Sequence, residues 1–361
     1  MKRGLIILCL HLLLPFTGGA RTTWADSVLR SMTLDQKIGQ LFMLPAYSNK
    51  NDTYCDQLAE TIRKYHVGGV IFFQGTPLKQ ALMTNRFQEA ADIPLFIGMD
   101  AEGGVGWRIK PALEFPNQTL QGAIRDTSLI REIGAAIGRQ CRALGIHINF
   151  APVVDINVNP RNPVIGIRSF GEHRKEVGAR SLAYAKGLAS QNVMAVAKHF
   201  PGHGDTDTDS HEALPIIRHS VQRLDSVEFY PFKQLFEAGV PGVMVAHLNI
   251  PSYDTLHLPA SLSRHVVTDL LRGQLHFQGL CFTDAMNMKG VTNARRDGEA
   301  EVAALLAGND ICLQPANIEQ AFKKVKAAVQ NGTLPLRSID EKCLRILKAK
   351  EKYVLPAPRL V

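Results

Sequence analysis

The sequence reads Val193-Met-Ala-Val-Ala-Lys198-His-Phe-Pro-Gly-His-Gly-Asp-Thr-Asp-Thr-Asp209-Ser-His-Glu-Ala-Leu-Pro215 at the stretch that decides its fold. Its first five residues are apolar and predict a short buried strand. The glycines, prolines and alternating aspartates that follow predict a polar loop. Titratable side chains placed just beyond the carboxyl end of a buried strand are typical of the active sites of α/β folds.

Two residues of this loop, Asp209 and His211, flank a single serine. At this spacing the carboxylate can orient the imidazole. A histidine oriented in this way acts as a general acid or base near neutral pH. We therefore predict a catalytic pair at these two positions.

Other interpretations of the loop remain open at this point. Three alternating aspartates resemble the start of an EF-hand calcium loop, but Ser210 and Ile216 stand where that loop needs Gly and Glu. The histidines are also candidate metal ligands, although their spacing matches no standard zinc pattern: His199, His203 and His211. The third interpretation is a solvated polar loop with incidental histidines.

Short apolar runs alternate with amphipathic segments along most of the chain. Eight candidate strands lie at residues 40–44, 69–73, 95–99, 148–152, 194–198, 242–247, 279–283 and 310–313. Helical patterns lie at residues 128–144, 172–191, 220–238, 266–275, 298–308, 317–331 and 341–353. This alternation predicts a closed parallel (β/α)8 barrel in one domain, with the doubly wound open sheet as the main competitor.

Polar residues follow five of the predicted strands. They are Asp100, Glu102 and Arg108 after the third, Asp155 and Arg168 after the fourth, Lys198 and His199 at the end of the fifth, His247 after the sixth and Asp284 after the seventh. Taken singly, an aspartate here can be a helix cap and the Arg168 guanidinium can pair with a surface carboxylate. Their shared position on one end of a barrel predicts a pocket for a polyhydroxylated ligand.

Residues 1–20 have the composition of a secretory signal peptide. Lys2 and Arg3 precede an apolar run, and small residues follow it. We expect export to the periplasm or the extracellular space, with residues 21–353 as the catalytic domain and 354–361 as a tail. The run is too short for a stable membrane span, and no later run reaches membrane length, so no stable membrane insertion is expected after cleavage.

The distribution of charge argues against a nucleic-acid partner, and the number and spacing of the cysteines argue against a disulfide framework. The formal net charge is +8 in 361 residues, but the basic residues are scattered apart from a lysine-rich final helix, so no nucleic-acid binding is expected. Five cysteines remain outside the signal, an odd number at wide spacing and mostly in apolar segments. This pattern predicts buried thiols.

Four ordered motifs carry a resemblance to family 3 glycoside hydrolases. They are Asp100-x-Glu-Gly-Gly104, Asn162-x-Val-Ile-Gly-x-Arg168-Ser-Phe-Gly171, the stretch from Lys198 to His211, and Phe282-Thr-Asp284-Ala-Met. More narrowly, the chain resembles bacterial β-N-acetylglucosaminidases (β-hexosaminidases) that act on peptidoglycan fragments, from about residue 32 to residue 350. The resemblance implies a retaining glycosidase whose substrates are N-acetylglucosamine-containing glycans or muropeptides, without a metal or organic cofactor.

The resemblance also implies roles for particular residues. Asp284 is expected to be the nucleophile, and His211 paired with Asp209 the acid/base. The positions that match those holding the N-acetylglucosamine unit are Asp100, Arg108, Arg168, Lys198 and His199.

The chain departs from the relatives where they commonly have an Arg-x-Gln stretch. Here the sequence is Val105-Gly106-Trp107, so we expect the leaving-group side of the site to be built differently. Two alternatives are a β-glucosidase of the same family and an exported glycan-binding barrel without catalysis. A hydrolysis assay with a chromogenic N-acetylglucosaminide separates the enzyme from the binding protein.

Overall fold

The computed structural model describes residues 23–208, 213–292, 296, 298–355 and 360. Eight parallel strands form one curved sheet in the order β7-β6-β5-β4-β3-β2-β1-β8. They are β1 Phe42–Ala46, β2 Gly69–Phe72, β3 Phe96–Met99, β4 Ile148–Asn149, β5 Met194–Phe200, β6 Gly242–Val245, β7 Leu280–Thr283 and β8 Cys312–Leu313. A parallel bridge between Phe282 and Ile311 joins the two ends of the sheet. The predicted (β/α)8 barrel is confirmed.

Helices surround the barrel. They are α1 Trp24–Ser31, α2 Leu34–Gly39, α3 Asp52–Tyr65, α4 Pro77–Ala90, α5 Gln118–Gly122, α6 Thr127–Ala143, α7 Arg174–Ser190, α8 Val221–Ser226, α9 Phe229–Glu237, α10 Lys289–Thr292, α11 Glu299–Ala307, α12 Ile318–Gln330 and α13 Leu336–Tyr353. Short 3₁₀ helices lie at Val105–Trp107, Gly166–Arg168 and Ala260–Leu262, and a π-helix at His265–Gln274.

Several helices begin at side chains that satisfy their free backbone N–H groups. Thr23 and Thr33 form capping boxes at the starts of α1 and α2. Asn51 caps α3 by accepting a hydrogen bond from the backbone of Tyr54. These local contacts fix where each helix begins, independently of its packing on the barrel.

The predicted helix over residues 220–238 is wrong in one respect, because the structure breaks it into α8 and α9. The break falls at Val227 and Glu228, which form a turn between the two helices. Pro231 lies in the first turn of α9. Proline has no N–H and its ring clashes with the preceding turn inside a helix, so the chain restarts the helix just before it.

Aromatic packing fills the barrel interior. The rings of Phe150 and Phe282 meet edge to face with their centroids 5.3 Å apart. Gly98 on β3 provides the room, because a Cβ atom there would lie 2.7 Å from the ring of Phe150. The buried hydroxyl of Tyr184 on α7 donates to the carbonyl of Glu102 at 2.9 Å, which ties the loop after β3 to the helix layer.

The five cysteines of the described residues are free and buried, which confirms the predicted thiols: Cys55, Cys141, Cys281, Cys312 and Cys343. Among the described residues no helix has the length and apolar character needed to cross a membrane. The predicted signal peptide at residues 1–20 lies outside the described residues, as does most of the tail at 354–361.

One lysine of α13, Lys350, is completely buried against the barrel. Its ammonium lies 2.5 Å from Oε1 of Gln40 and 5.5 Å from the ring centre of Phe96. Burial lowers the pKa of Lys350 to about 7. The unfolded chain still binds this proton up to about pH 10. Stability is therefore lost as the pH falls from about 10 to about 7, where only the unfolded state gains the proton.

We predict that Lys350→Met stabilises the protein at pH 7.5, because the variant removes the penalty of burying an ammonium. The gain should amount to a few kcal/mol at most and should vanish near pH 10.5. Thermal unfolding of both proteins across pH 7 to 10.5 measures this difference. Lys348→Met, on an exposed position of the same helix, is the matched control and should leave the curve unchanged. A lower melting temperature for Lys350→Met at every pH would contradict the prediction.

Candidate active site

A cleft with a volume of ≈ 350 Å³ opens at the carboxyl ends of the barrel strands. The six predicted site residues that the structure describes all line it: Asp100, Arg108, Arg168, Lys198, His199 and Asp284. They come from the ends of β3, β5 and β7 and from the loops after β3 and β4. The structure thus brings together residues that are far apart in the sequence.

Asp100 lies at the end of β3 between two cations. Its Oδ1 accepts from the Lys198 ammonium at 2.8 Å, and its Oδ2 accepts from the Arg108 guanidinium at 2.8 Å. Burial disfavours the charged carboxylate, but the two cations outweigh burial and lower the pKa of Asp100. The group is therefore an ionised acceptor in the cleft, suited to receive hydroxyl protons of a ligand.

Glu102, two residues further on, was predicted to lie at this end of the barrel but was assigned no role from the sequence. It accepts two hydrogen bonds from Arg168, at 3.0 and 2.8 Å, and its Oε1 lies 2.7 Å from the Lys198 ammonium. Burial opposes its charge, but the two cations hold the pKa of Glu102 well below its usual range. The Arg168 side chain is therefore committed to a buried partner and not to a surface carboxylate.

Asp155, from the segment after β4, orients His199. Its carboxylate accepts from Nδ1 of His199 at 2.7 Å and from the backbone N–H of His203 at 2.6 Å. Because Nδ1 donates to Asp155, the other ring nitrogen of His199 is free to accept from Arg168 at 3.3 Å. The sequence analysis placed Asp155 at a strand end, but nothing in the sequence indicated that it orients His199.

Asp284 follows β7 and lines the same cleft. Its Oδ1 accepts from the backbone N–H of Ala285 at 2.8 Å, and it forms no ion pair with another described residue. Burial raises the cost of its charge, but His199, His247, the Ala285 N–H and Lys198 together lower the pKa of Asp284. The result is an ionised carboxylate that no cation covers within the described part of the chain, a suitable state for a nucleophile.

His247, delivered by β6, supports the loop that follows Asp284. Its Nε2 lies 3.0 Å from the carbonyl oxygen of Ala285, and its Nδ1 lies 2.6 Å from the Ser261 hydroxyl. A carbonyl can only accept, so Nε2 donates to Ala285. His247 is completely buried and therefore acts as a support.

Asp209 and His211, the predicted acid/base pair, lie outside the described residues. The chain on both sides of residues 209–212 is described. Asn162 donates to the carbonyl of His203 at 2.8 Å, which joins the first side to the loop after β4. On the second side Ile216 pairs with Asn249, just after β6. The two ends of this segment are thus anchored to loops at the cleft end of the barrel.

The metal-ligand interpretation of the histidines is disfavoured by the surroundings of His199 and His203. Both use Nδ1 within the protein, on Asp155 and on the Thr206 hydroxyl. The remaining nitrogen of His199 lies beside the cationic Arg168 side chain. Burial and the His199 ring lower the pKa of His203 to about 4. Both rings are thus engaged in hydrogen bonds within the protein.

The Glycosyl hydrolase family 3 N terminal domain matches residues 33–349 of this chain. The chain belongs to glycosyl hydrolase family 3. It is 33% identical to β-hexosaminidase A of Pseudoalteromonas piscicida, over 89% of this chain and 61% of that protein. It is 30% identical to β-hexosaminidase LpqI of Mycobacterium tuberculosis, over 96% of this chain and 94% of that protein.

A solved structure of a family 3 enzyme has the same fold. The fold matches the family 3 β-N-acetylglucosaminidase of Paenibacillus sp. with a TM-score of 0.83 at 36% identity, over 92% of this chain and 64% of that one. This chain therefore spans less than two thirds of the length of two of these three proteins.

We predict that Glu102→Gln destabilises the protein by about 3 kcal/mol, because it leaves Arg168 and Lys198 buried with too little negative charge. Glu114→Gln is the matched control, since Glu114 pairs with Lys110 at the exposed surface. That change should cost less than about 1 kcal/mol. Chemical denaturation of the three proteins at pH 7 measures both values. Equal losses for the two variants would show that the buried network contributes no more than a surface pair.

Proposed function

We propose that this chain is a retaining β-N-acetylglucosaminidase that removes terminal β-linked N-acetylglucosamine from glycans. The observation that carries the proposal is the ionised Asp284 in the same cleft as the Asp100–Lys198–Arg108 cluster, in a chain of this family. The names of its relatives, two β-hexosaminidases and a β-N-acetylglucosaminidase, support the choice of sugar. We propose residues 21–353 as the catalytic domain.

In the first step the Asp284 carboxylate attacks the anomeric carbon as the bond to the leaving oxygen breaks. The electron pair of that bond goes to the leaving oxygen, which takes a proton from His211. In the second step neutral His211 removes a proton from water, the water oxygen attacks the anomeric carbon, and Asp284 is released as a carboxylate. Both steps follow the double-displacement scheme of retaining glycosidases.

We propose that the charged cluster holds the sugar. Asp100 offers an ionised acceptor, and the Arg108 and Lys198 cations beside it offer donors. Such groups exchange their mutual hydrogen bonds for hydrogen bonds to sugar hydroxyls with little reorganisation, because their neighbours already fix them. Arg168 and His199 complete the proposed sugar-binding set. No metal or organic cofactor takes part in these steps.

The source of the substrate and the location of the protein are also proposed. We propose peptidoglycan fragments or related glycans outside the cytoplasm, on the grounds of the motif resemblance and the signal-like residues 1–20. Trp107 lines the cleft in the stretch where this chain departs from its relatives. It offers an aromatic surface beside Arg108 and can account for a different leaving-group preference.

We predict that Asp284→Ala lowers kcat on a chromogenic N-acetylglucosaminide by a factor of at least about 10⁴ while the protein stays folded, because the covalent intermediate cannot form. Circular dichroism checks the fold. A slow fluorinated N-acetylglucosamine analogue should label Asp284 in the wild type, as read by peptide mass spectrometry. A variant with near wild-type turnover would remove Asp284 as the nucleophile. The corresponding glucoside, run in parallel, tests whether the sugar is N-acetylglucosamine.

We predict that the effect of His211→Ala depends on the leaving group, because activated leaving groups need no proton in the first step. The loss of activity should be greatest with alkyl glycosides or natural disaccharides as substrates. With dinitrophenyl glycosides the glycosyl-enzyme should accumulate, and azide should restore the second step. Asp209→Ala should show the same pattern more mildly, since the imidazole is present but poorly oriented.

His211→Ala could instead lower the rate of hydrolysis by the same factor for substrates with every leaving group, without rescue by azide. That result would assign the proton transfer to another group. Asp207→Ala, in the same loop, is the matched control and should not change the dependence on the leaving group. Steady-state kinetics on a series of aryl and alkyl glycosides measure all three variants.

A further inference from the structure

A second polar cluster lies at the opposite end of the barrel from the cleft. Its centre is Asp310, which is completely buried just before β8. Its Oδ2 accepts from the backbone N–H of Cys281 at 2.9 Å and from Arg272 at 2.6 Å. Its Oδ1 accepts from Arg345 of α13 at 2.9 Å. Both carboxylate oxygens are therefore used by these partners.

A third cation, Lys342, lies one turn before Arg345 on α13 and is only 3% exposed. It has no hydrogen bond or ion pair with any described residue, since Asp310 is already occupied. Burial, together with the charges of Arg345 and Arg272, lowers the pKa of Lys342, and Asp310 is the largest of the contributions that oppose this. Burial of this side chain disfavours its charge, and an anion bound in contact with the ammonium would offset that cost.

Lys342 lines a pocket with a volume of ≈ 360 Å³. Three other cations, Arg264, Arg272 and Arg345, also line it. The single carboxylate of the lining, Glu341, is ion-paired to Arg337 at 2.9 Å. Arg264 lies 3.9 Å from Asp269. With Asp269 and the buried Asp310 counted beside Glu341, the four cations still exceed the three carboxylates, so the pocket has an excess of positive charge.

The donors of the pocket are available to a ligand. Arg345 binds Asp310 through Nε and Nη2, so its Nη1 makes no hydrogen bond to another described residue. The Ser338 hydroxyl also lines the pocket, one turn of α13 before Lys342. An ammonium, a guanidinium nitrogen and a hydroxyl in one small concavity match the acceptors of a tetrahedral oxyanion.

We propose that this pocket is a binding site for a phosphate group, with Lys342 as its central ligand. The excess positive charge suits a dianion better than a monovalent anion. The pocket is larger than one oxyanion requires, so it can take either inorganic phosphate or the phosphate of a small phosphomonoester. The site is separate from Asp284, which lies at the other end of β7, and it is independent of the proposed glycosidase activity.

The test is calorimetric titration of the full chain with inorganic phosphate at constant ionic strength set with chloride. We expect saturable binding to the wild type and a loss of affinity of about tenfold or more in Lys342→Met, because a charge-assisted hydrogen bond is removed. Lys348→Met, exposed on the same helix, is the control and should bind phosphate like the wild type. Glycosidase turnover should be equal in all three proteins.

A second titration uses glucose 6-phosphate and decides the source of the phosphate group. Tighter binding of the ester identifies a phosphomonoester ligand, and binding of inorganic phosphate alone identifies the free ion. Either result supports the site only if it depends on Lys342. Lys342→Gln repeats the test with a polar side chain should the methionine variant fail to fold, and Lys342→Arg should restore binding at least in part.

Two results would overturn the proposal. One is the absence of saturable binding of both probes to the wild type. The other is binding that is equally strong in the wild type and in folded Lys342→Met or Lys342→Gln, which would place the phosphate elsewhere, including the cleft of Asp284.

Discussion

The Lys198 ammonium is the contact on which the active-site end of the barrel depends. It is 2% exposed and lies within hydrogen-bonding distance of both Asp100 and Glu102. Lys198 belongs to β5, whereas the two carboxylates follow β3, so the ion pairs connect strand ends across the intervening β4. Without this cation the two buried carboxylates would repel each other with only one cation beside each, and the pKa of both would rise.

The network extends from that contact in two directions. Asp100 leads to Arg108 at the mouth of the cleft, and Glu102 leads to Arg168 and from there to His199. Each carboxylate has a cation on both sides, so both stay ionised although they are buried. Buried ion pairs of this kind add little to stability compared with apolar packing. Their retention at the ligand-binding end is better explained by the need for fixed charges that do not reorganise when a sugar binds.

Most of the fold could be predicted from the sequence because each strand is a short apolar run followed by polar residues. The strands of the structure overlap all eight predicted runs, and the predicted site residues that are described share one cleft. The errors have local causes. Pro231 divides a helix whose apolar pattern is continuous. Regular pairing of β4 ends at Asn149, and only an isolated bridge between Val153 and Lys198 continues it. Glu102 and Asp155 were predicted to lie at the strand ends, but their roles were not, because they bind other side chains and such pairings depend on contacts between distant segments.

Buried lysines have carboxylate partners at one end of the barrel but not, within the described residues, at the other. At the cleft end each described cation of the network has a carboxylate within 3 Å, namely Arg108, Arg168 and Lys198. At the other end Lys342 and Lys350 are buried without a carboxylate partner among the described residues, and both have lowered pKa values because of burial. Lys350 lies against Gln40 and an aromatic ring, and these contacts only partly offset the cost of burying its ammonium. Lys342 lines an open pocket with further cations, so a ligand can supply the missing negative charge. The cost of burying an ammonium is thus partly met by neighbouring side chains at Lys350, whereas at Lys342 a bound anion can reduce it.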